Sequence, residues 1–322
     1  MQMSQTASTG TVPATISAAK KSNRFRKFMP LTLMTLPGLA YLLINNYLPM
    51  FGIVIAFKNV NFSKGILGSD WVGFKNFEYL FKTSDAYIIT RNTIAYNLVW
   101  ILVGTLMSIV LAILLNEIRS KFFSRFYQSV ILLPQLISII IVSYIVYAVL
   151  SLDTGLLNKV VLPALGMDEI SWYFEPKYWP IILTIVHFWK GLGFSIVIYF
   201  ASIIGIDEEY YEAARLDGAS KWQQIRSITI PLLSPVIIML TLLSIGRIFY
   251  SDFGLFYQVP MNSGPLYDTT NVIDTYVFRG LLGLGDIGMS AAAGFYQSIV
   301  GFVLVITANL IVRKINKDNA LF

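Results

Sequence analysis

Residues 180–204 read PIILTIVHFWKGLGFSIVIYFASII, and residues 206–231, just beyond, read IDEEYYEAARLDGASKWQQIRSITIP. The first stretch carries one formal charge, Lys190. A helix needs about 20 predominantly apolar residues to cross roughly 30 Å of hydrocarbon, and as a helix it satisfies its own backbone there. The second stretch is dense in charge and cannot stay in lipid. A membrane span followed by a polar loop and a further apolar run sets the pattern for the chain.

Outward from this pair, five more stretches qualify as spans, at about 31–57, 92–115, 127–151, 229–250 and 291–312. The predicted fold class is therefore an all-α integral membrane protein with six transmembrane helices. Pro37 and Pro49 predict a bend in the first span or its end near Pro49. Pro134 and Gln135 predict a packing kink in the third. Composition agrees: 56% of the 322 residues are hydrophobic and 13% charged, against about 25% charged in a soluble domain, and the mean hydropathy is +0.65.

The net charge of +6 has no basic stripe interleaved with aromatics to suggest nucleic acid. It reads instead as topology. Lys20, Lys21, Arg24, Arg26 and Lys27 precede the first span. Arg119, Lys121 and Arg125, then Arg215, Lys221 and Arg226, then Arg313, Lys314 and Lys317 fall on the same side. The opposite side holds fewer: Lys58, Lys64, Lys75, Lys82, Arg91, Lys159, Lys177 and Arg279. Cytoplasmic loops carry the excess of Lys and Arg, so both termini are expected in the cytoplasm. Residues 1–30 read as a cytoplasmic tail with a basic anchor and no signal peptide, and residues 31–322 as the transmembrane domain. Trp71, Trp172, Tyr173 and Trp179 in the outer loops 58–91 and 152–179 fit an interfacial belt. The absence of cysteine excludes disulfides and thiolate chemistry.

The loop 207–231 carries the strongest local signals. Asp207 is a good N-cap, with Glu208 and Glu209 in the first turn where the helix dipole favours acids. Gly218 can end that helix in the left-handed conformation. Ser220 and Gln223 have capping-box spacing for a second short helix, and Pro231 suits the first turn of the next span. Two readings of the loop stand: a rigid lever with small residues, Ala213 and Ala214, that a partner can approach closely, or an amphipathic loop resting on the membrane.

The loop resembles the coupling motif of ABC importer permeases: Glu-Ala-Ala, three residues, Gly, nine residues, Ile, one residue, Leu, Pro. Glu212, Ala213, Ala214, Gly218, Ile228 and Pro231 stand at that spacing, with Ile230 in place of the usual Leu. The resemblance extends from about residue 37 to 312, with Tyr47–Lys58, Leu114–Arg119, Trp189–Tyr199 and Val272–Phe278 similar to polysaccharide-type permeases of the maltose-permease-like group, which includes an alginate importer permease. It implies the type I ABC importer permease fold in a bacterial cytoplasmic membrane, with a coupling helix between spans four and five. It also implies ATPase coupling through Glu212, Ala213, Ala214, Asp217, Gly218 and Pro231. The implied partners are a second homologous permease, two ATPase subunits and an extracytoplasmic solute-binding protein, with an oligosaccharide as solute. No G-x-x-x-x-G-K-[ST] phosphate loop occurs, so ATP and magnesium belong to the partner and this chain is expected to bind no cofactor.

Ionisable groups inside spans are costly and usually face a cavity or a partner. Lys190 and Arg247 are candidates for the solute path, as are His187, Trp189 and Tyr199, with Phe194 a further aromatic. The alternative for Arg247 is a structural pair with Asp252. Both cations on the path would favour an acidic oligosaccharide, such as alginate, over a neutral sugar. A lone histidine without cysteine makes a metal site improbable. A membrane enzyme would need paired carboxylates or a histidine base at one membrane face, and the nearest acids are already explained by capping. A receptor or scaffold would not need Gly218 at this spacing.

Overall fold

The computed structural model describes residues 24–315 together with Lys317 and Ala320, so Lys20, Lys21 and the tail before them lie outside the described residues. The described residues divide into two compact units, one ending at Gly52 and one beginning at Ile53. In the first, helix α1 (Arg24–Leu42) contains Pro30 and Pro37 and passes into a π turn, Leu43–Tyr47, before Pro49.

The second unit holds α2 (Ser84–Asn116), α3 (Lys121–Leu136), α4 (Ile139–Leu150), α5 (Trp179–Ile204), α6 (Glu208–Leu216), α7 (Lys221–Gln224), α8 (Ile230–Ile245), α9 (Phe253–Gln258), α10 (Ile273–Leu284) and α11 (Ile287–Ile315). A two-residue antiparallel ribbon, with Lys58 opposite Trp71 and Asn59 opposite Asp70, is a small exception to the all-α expectation. Among the described residues, five helices are long and apolar enough to cross a membrane, or six if α3 and α4 count as one broken span.

The centre of this unit is the packing of α2 on α5. Tyr96, Trp100, Trp179, Leu183 and Val186 join Leu255 and Phe256 of α9 in one core cluster. Ala112, Leu115, Ile196, Tyr199, Phe200 and Ile203 join Leu233 of α8 in another, nearer α6. Small residues set the close crossings. A Cβ on Gly193 of α5 would collide with the carbonyl oxygen of Ile131 in α3, and one on Gly301 of α11 with that of Gly246.

Four expectations are corrected. The third span is not a kinked helix: α3 and α4 meet at 94° across Ile137 and Ser138. Hydropathy reports length and not direction, and the carbonyls exposed by the break have a donor, the ammonium of Lys190, at 3.2 Å from Gln135 O and 2.8 Å from Ile137 O. The fifth span ends at Ile245, so Arg247 sits in the turn after it. The second short helix of the loop is not free-standing: α7 runs through the π turn Ile225–Thr229 into α8. Trp179 is fully buried, its indole N–H donating to Trp172 O at 2.7 Å, and so is no interfacial anchor.

The π turns follow a rule. Leu43–Tyr47, Leu157–Val161 and Ile225–Thr229 each end just before an X-Pro pair, Leu48-Pro49, Leu162-Pro163 and Ile230-Pro231. In each, the residue before proline donates to the carbonyl five back. Proline has no N–H, and its ring crowds the carbonyl four residues earlier. One widened turn moves that carbonyl aside without ending the helix.

Candidate functional site

Two places gather the sequence candidates. The first is α6. The Asp207 carboxylate accepts from Glu209 N at 3.1 Å. At the other end Gly218 has φ +78°, Gly218 N donates to Arg215 O and Ala219 N to Ala214 O. This doubly bonded C-terminal closure needs a left-handed residue, which glycine adopts without a Cβ penalty. Ser220 and Gln223 form the reciprocal capping box. Caps matter here because α6 has nine residues and none is buried; so short a helix is marginal on propensity alone.

The outward face of α6 is apolar where it can be. Tyr210 and Leu216 are exposed, Leu216 to 89%, and exposed Ala213 lies between them at three-residue spacing. Residues three apart share a helix face. Exposed Glu212 and Asp217 flank this strip. The helix is tied back by Tyr211 Oη, 2.9 Å from Thr229 Oγ1. Lys221 pairs with Glu117 at the end of α2 at 3.0 Å. Gln224, buried, donates to Ala219 O at 3.0 Å.

The second place is a cavity of about 490 Å³ between α2, α5, α8 and the turn after α8, lined by Asn97, Trp100, Ser108, His187, Ser195, Tyr199, Ser244, Arg247, Tyr250 and Asp252 among others. His187, Tyr199 and Arg247 are thus brought together; Lys190 and Trp189 are not. The His187 ring stacks on Trp100, with centroids 3.7 Å apart and planes 9° from parallel. Trp100 is fixed by its N–H to Thr184 Oγ1 at 3.1 Å. Lys190 turns to the α3–α4 break instead, and Trp189 is exposed, as is Phe194. Arg247 has no ion pair among the described residues, so the structural pair with Asp252 does not form. Asp252 caps α9 instead, accepting from Leu255 N at 3.0 Å. Asn97 holds the turn by donating to Ile248 O and Tyr250 O, each at 3.0 Å.

Sequence reasoning missed the hydroxyls. Ser108 is fully buried, and its Oγ has no hydrogen-bond partner in the structure. The signal was present in the spacing: His187, Gly191 and Ser195 recur every four residues along α5, and Asn97, Gly104 and Ser108 mark one face of α2. A larger cavity of about 610 Å³ near Arg91 and Asp268 is walled mainly by apolar side chains and lacks this convergence of polar groups.

Residues 101–317 match the family described as binding-protein-dependent transport system inner membrane component. The chain is 33% identical over 288 residues to the polygalacturonan/rhamnogalacturonan transport system permease protein YteP of Bacillus subtilis (strain 168), covering 89% of each chain. It superposes with a TM-score of 0.82 at 32% identity, over 91% of this chain and 98% of the other, on a chain from the crystal structure of a bacterial ABC transporter involved in the import of the acidic polysaccharide alginate. The same score and identity, over 91% and 97%, hold for the bacterial alginate ABC transporter in complex with alginate pentasaccharide-bound periplasmic protein. With its apolar helices and the fold of an importer permease, this multi-pass membrane chain belongs to the binding-protein-dependent transport system inner membrane component family, as a permease subunit of the sugar-transporting kind.

Proposed function

We propose that the chain carries an acidic oligosaccharide across the membrane along the cavity between α2, α5 and α8, in a complex driven by ATP. The observation that carries this reading is Arg247, a guanidinium on the cavity wall without an acidic partner among the described residues, on a wall shared with the hydroxyl-bearing Ser195 and Ser244. A planar guanidinium matches a carboxylate in two-point hydrogen bonding, and the hydroxyls suit a polyol. The acidic polysaccharides named for YteP and for the alginate transporter support the same solute class.

The chain performs no covalent chemistry in this reading. The loop from Asp207 to Ser220 lies in the cytoplasm, and the strip Tyr210, Ala213 and Leu216, with Glu212, Asp217 and Gly218 around it and Pro231 beyond, docks on one of two ATPase subunits that bind ATP and magnesium. A second, homologous permease completes the path as a heterodimer, and an extracytoplasmic solute-binding protein delivers the sugar. Alternating access is then a two-state equilibrium biased by ATP on the partner.

The test is ATP hydrolysis by the whole transporter in liposomes, with binding protein and a panel of neutral and acidic oligosaccharides. Stimulation by acidic members, dependent on the binding protein, is the expected result. Stimulation by neutral sugars alone would overturn the solute class.

A further inference from the structure

Helix α6 has no buried residue, and α8, which lines the cavity, is one route by which a movement of α6 can reach it. A side-chain hydrogen bond joins α6 to the α7–α8 helix: Tyr211 Oη to Thr229 Oγ1, 2.9 Å. Thr229 is 4% exposed.

The chemistry of Thr229 makes this contact specific. A helical Ser or Thr hydroxyl ordinarily bonds the carbonyl four residues back, as Thr184, Ser202, Ser244 and Thr307 all do here. Thr229 does not. It closes the π turn, and its hydroxyl reaches out of the helix to Tyr211. The contact falls two residues before Pro231, where the backbone already lacks one donor. Two other ties hold the surroundings still: Gln224 to Ala219 O inside the connecting turn, and Lys221 to Glu117 on α2. Displacement of α6 is therefore applied to the helix of span five at its π turn, next to Pro231.

We propose that the Tyr211–Thr229 hydrogen bond transmits movement of α6 to α8, with both as positioning residues for transport. The inference rests on the coupling role given to α6 above. The experiment uses the whole transporter in liposomes and reads basal ATP hydrolysis, its stimulation by solute-loaded binding protein, and solute taken up per ATP. Tyr211→Phe and Thr229→Val each remove one hydroxyl. Basal hydrolysis should hold, while stimulation and uptake per ATP fall about five-fold, the weight of one hydrogen bond. The double variant should fall no further than either single one, and Thr229→Ser should retain coupling. Losses that multiply in the double variant, or a Thr229→Ser variant as uncoupled as Thr229→Val, overturn the proposal. Normal coupling in Tyr211→Phe and Thr229→Val beside an uncoupled Gly218→Asp overturns the strut alone. Normal coupling in Gly218→Asp as well overturns the coupling role of α6 and the strut with it.

Discussion

Two glycines on one helix give a matched test of how α5 packs. Gly191 and Gly193 both lie inside α5. A Cβ on Gly191 meets nothing within 4 Å, whereas one on Gly193 runs into the Ile131 carbonyl oxygen and comes within 3.0 Å of its carbon and 3.3 Å of its Cγ2. Replacing either glycine by alanine gains the same helix propensity, about 0.5–1 kcal/mol. At Gly193 the methyl meets backbone, which has no rotamer to escape into, so α3 must shift; overpacking of this kind costs about 1–3 kcal/mol. Gly191→Ala should thus be neutral to stabilising, and Gly193→Ala about 2 kcal/mol worse than Gly191→Ala. At roughly 2–4 °C per kcal/mol for domains of 150–250 residues, the two variants should melt about 5 °C apart. Thermal unfolding of the purified transporter in nanodiscs measures this directly. Melting temperatures within about 1 °C of each other would refute the close crossing of α3 and α5.

Other outcomes follow from the same geometry. Arg247→Met removes a charge-assisted contact with an acidic solute and should lower uptake of acidic oligosaccharides about ten-fold or more while sparing neutral ones, as read in proteoliposomes; equal effects on both classes would remove Arg247 from the path. Lys190→Met uncaps the carbonyls of Gln135 and Ile137 at the α3–α4 break, so uptake of neutral and acidic solutes should fall together, whereas a selective loss for acidic ones would return Lys190 to the solute path. Asp274, outside the spans, accepts from Ser251 N at 2.8 Å, and burial pushes its carboxyl above the usual range despite that bond and one from Gln297. The folded chain therefore holds this proton to higher pH than the unfolded chain. Stability from this group is present below the ordinary carboxylate range and declines as pH rises through the raised value. Asp274→Asn should flatten that part of the pH–stability curve, and an unchanged slope would mean that the carboxyl is not perturbed.

Much of the molecule was legible because its signals are local. Hydropathy over twenty residues identified the spans, since a bilayer accepts only backbones that bond within themselves. The α6 loop was legible nearly atom by atom, because caps depend on residues three to five apart: Asp207, Gly218, Ser220 and Gln223 act as their spacing predicts. The cavity was half legible. Arg247 and His187 announce themselves as polar groups in apolar sequence, but serines such as Ser108 look like ordinary helix fillers until three helices enclose them.

What escaped was every feature decided by a distant partner. Pro134 signals a weakness in the third span, but whether the helix bends or breaks depends on a donor for the freed carbonyls, and that donor is Lys190, 55 residues from Gln135. Lys190 itself looked like a solute ligand for the same reason: a charge in a span must find company, and sequence does not say whose. The sequence by itself determined that this chain lives in a bilayer, where its long apolar segments lie, and that a capped helix is presented between the fourth and fifth. Only the tertiary structure decided which cation faces the cavity and which holds a broken helix together, because hydrogen bonds across helices depend on positions in space that one-dimensional periodicity does not contain.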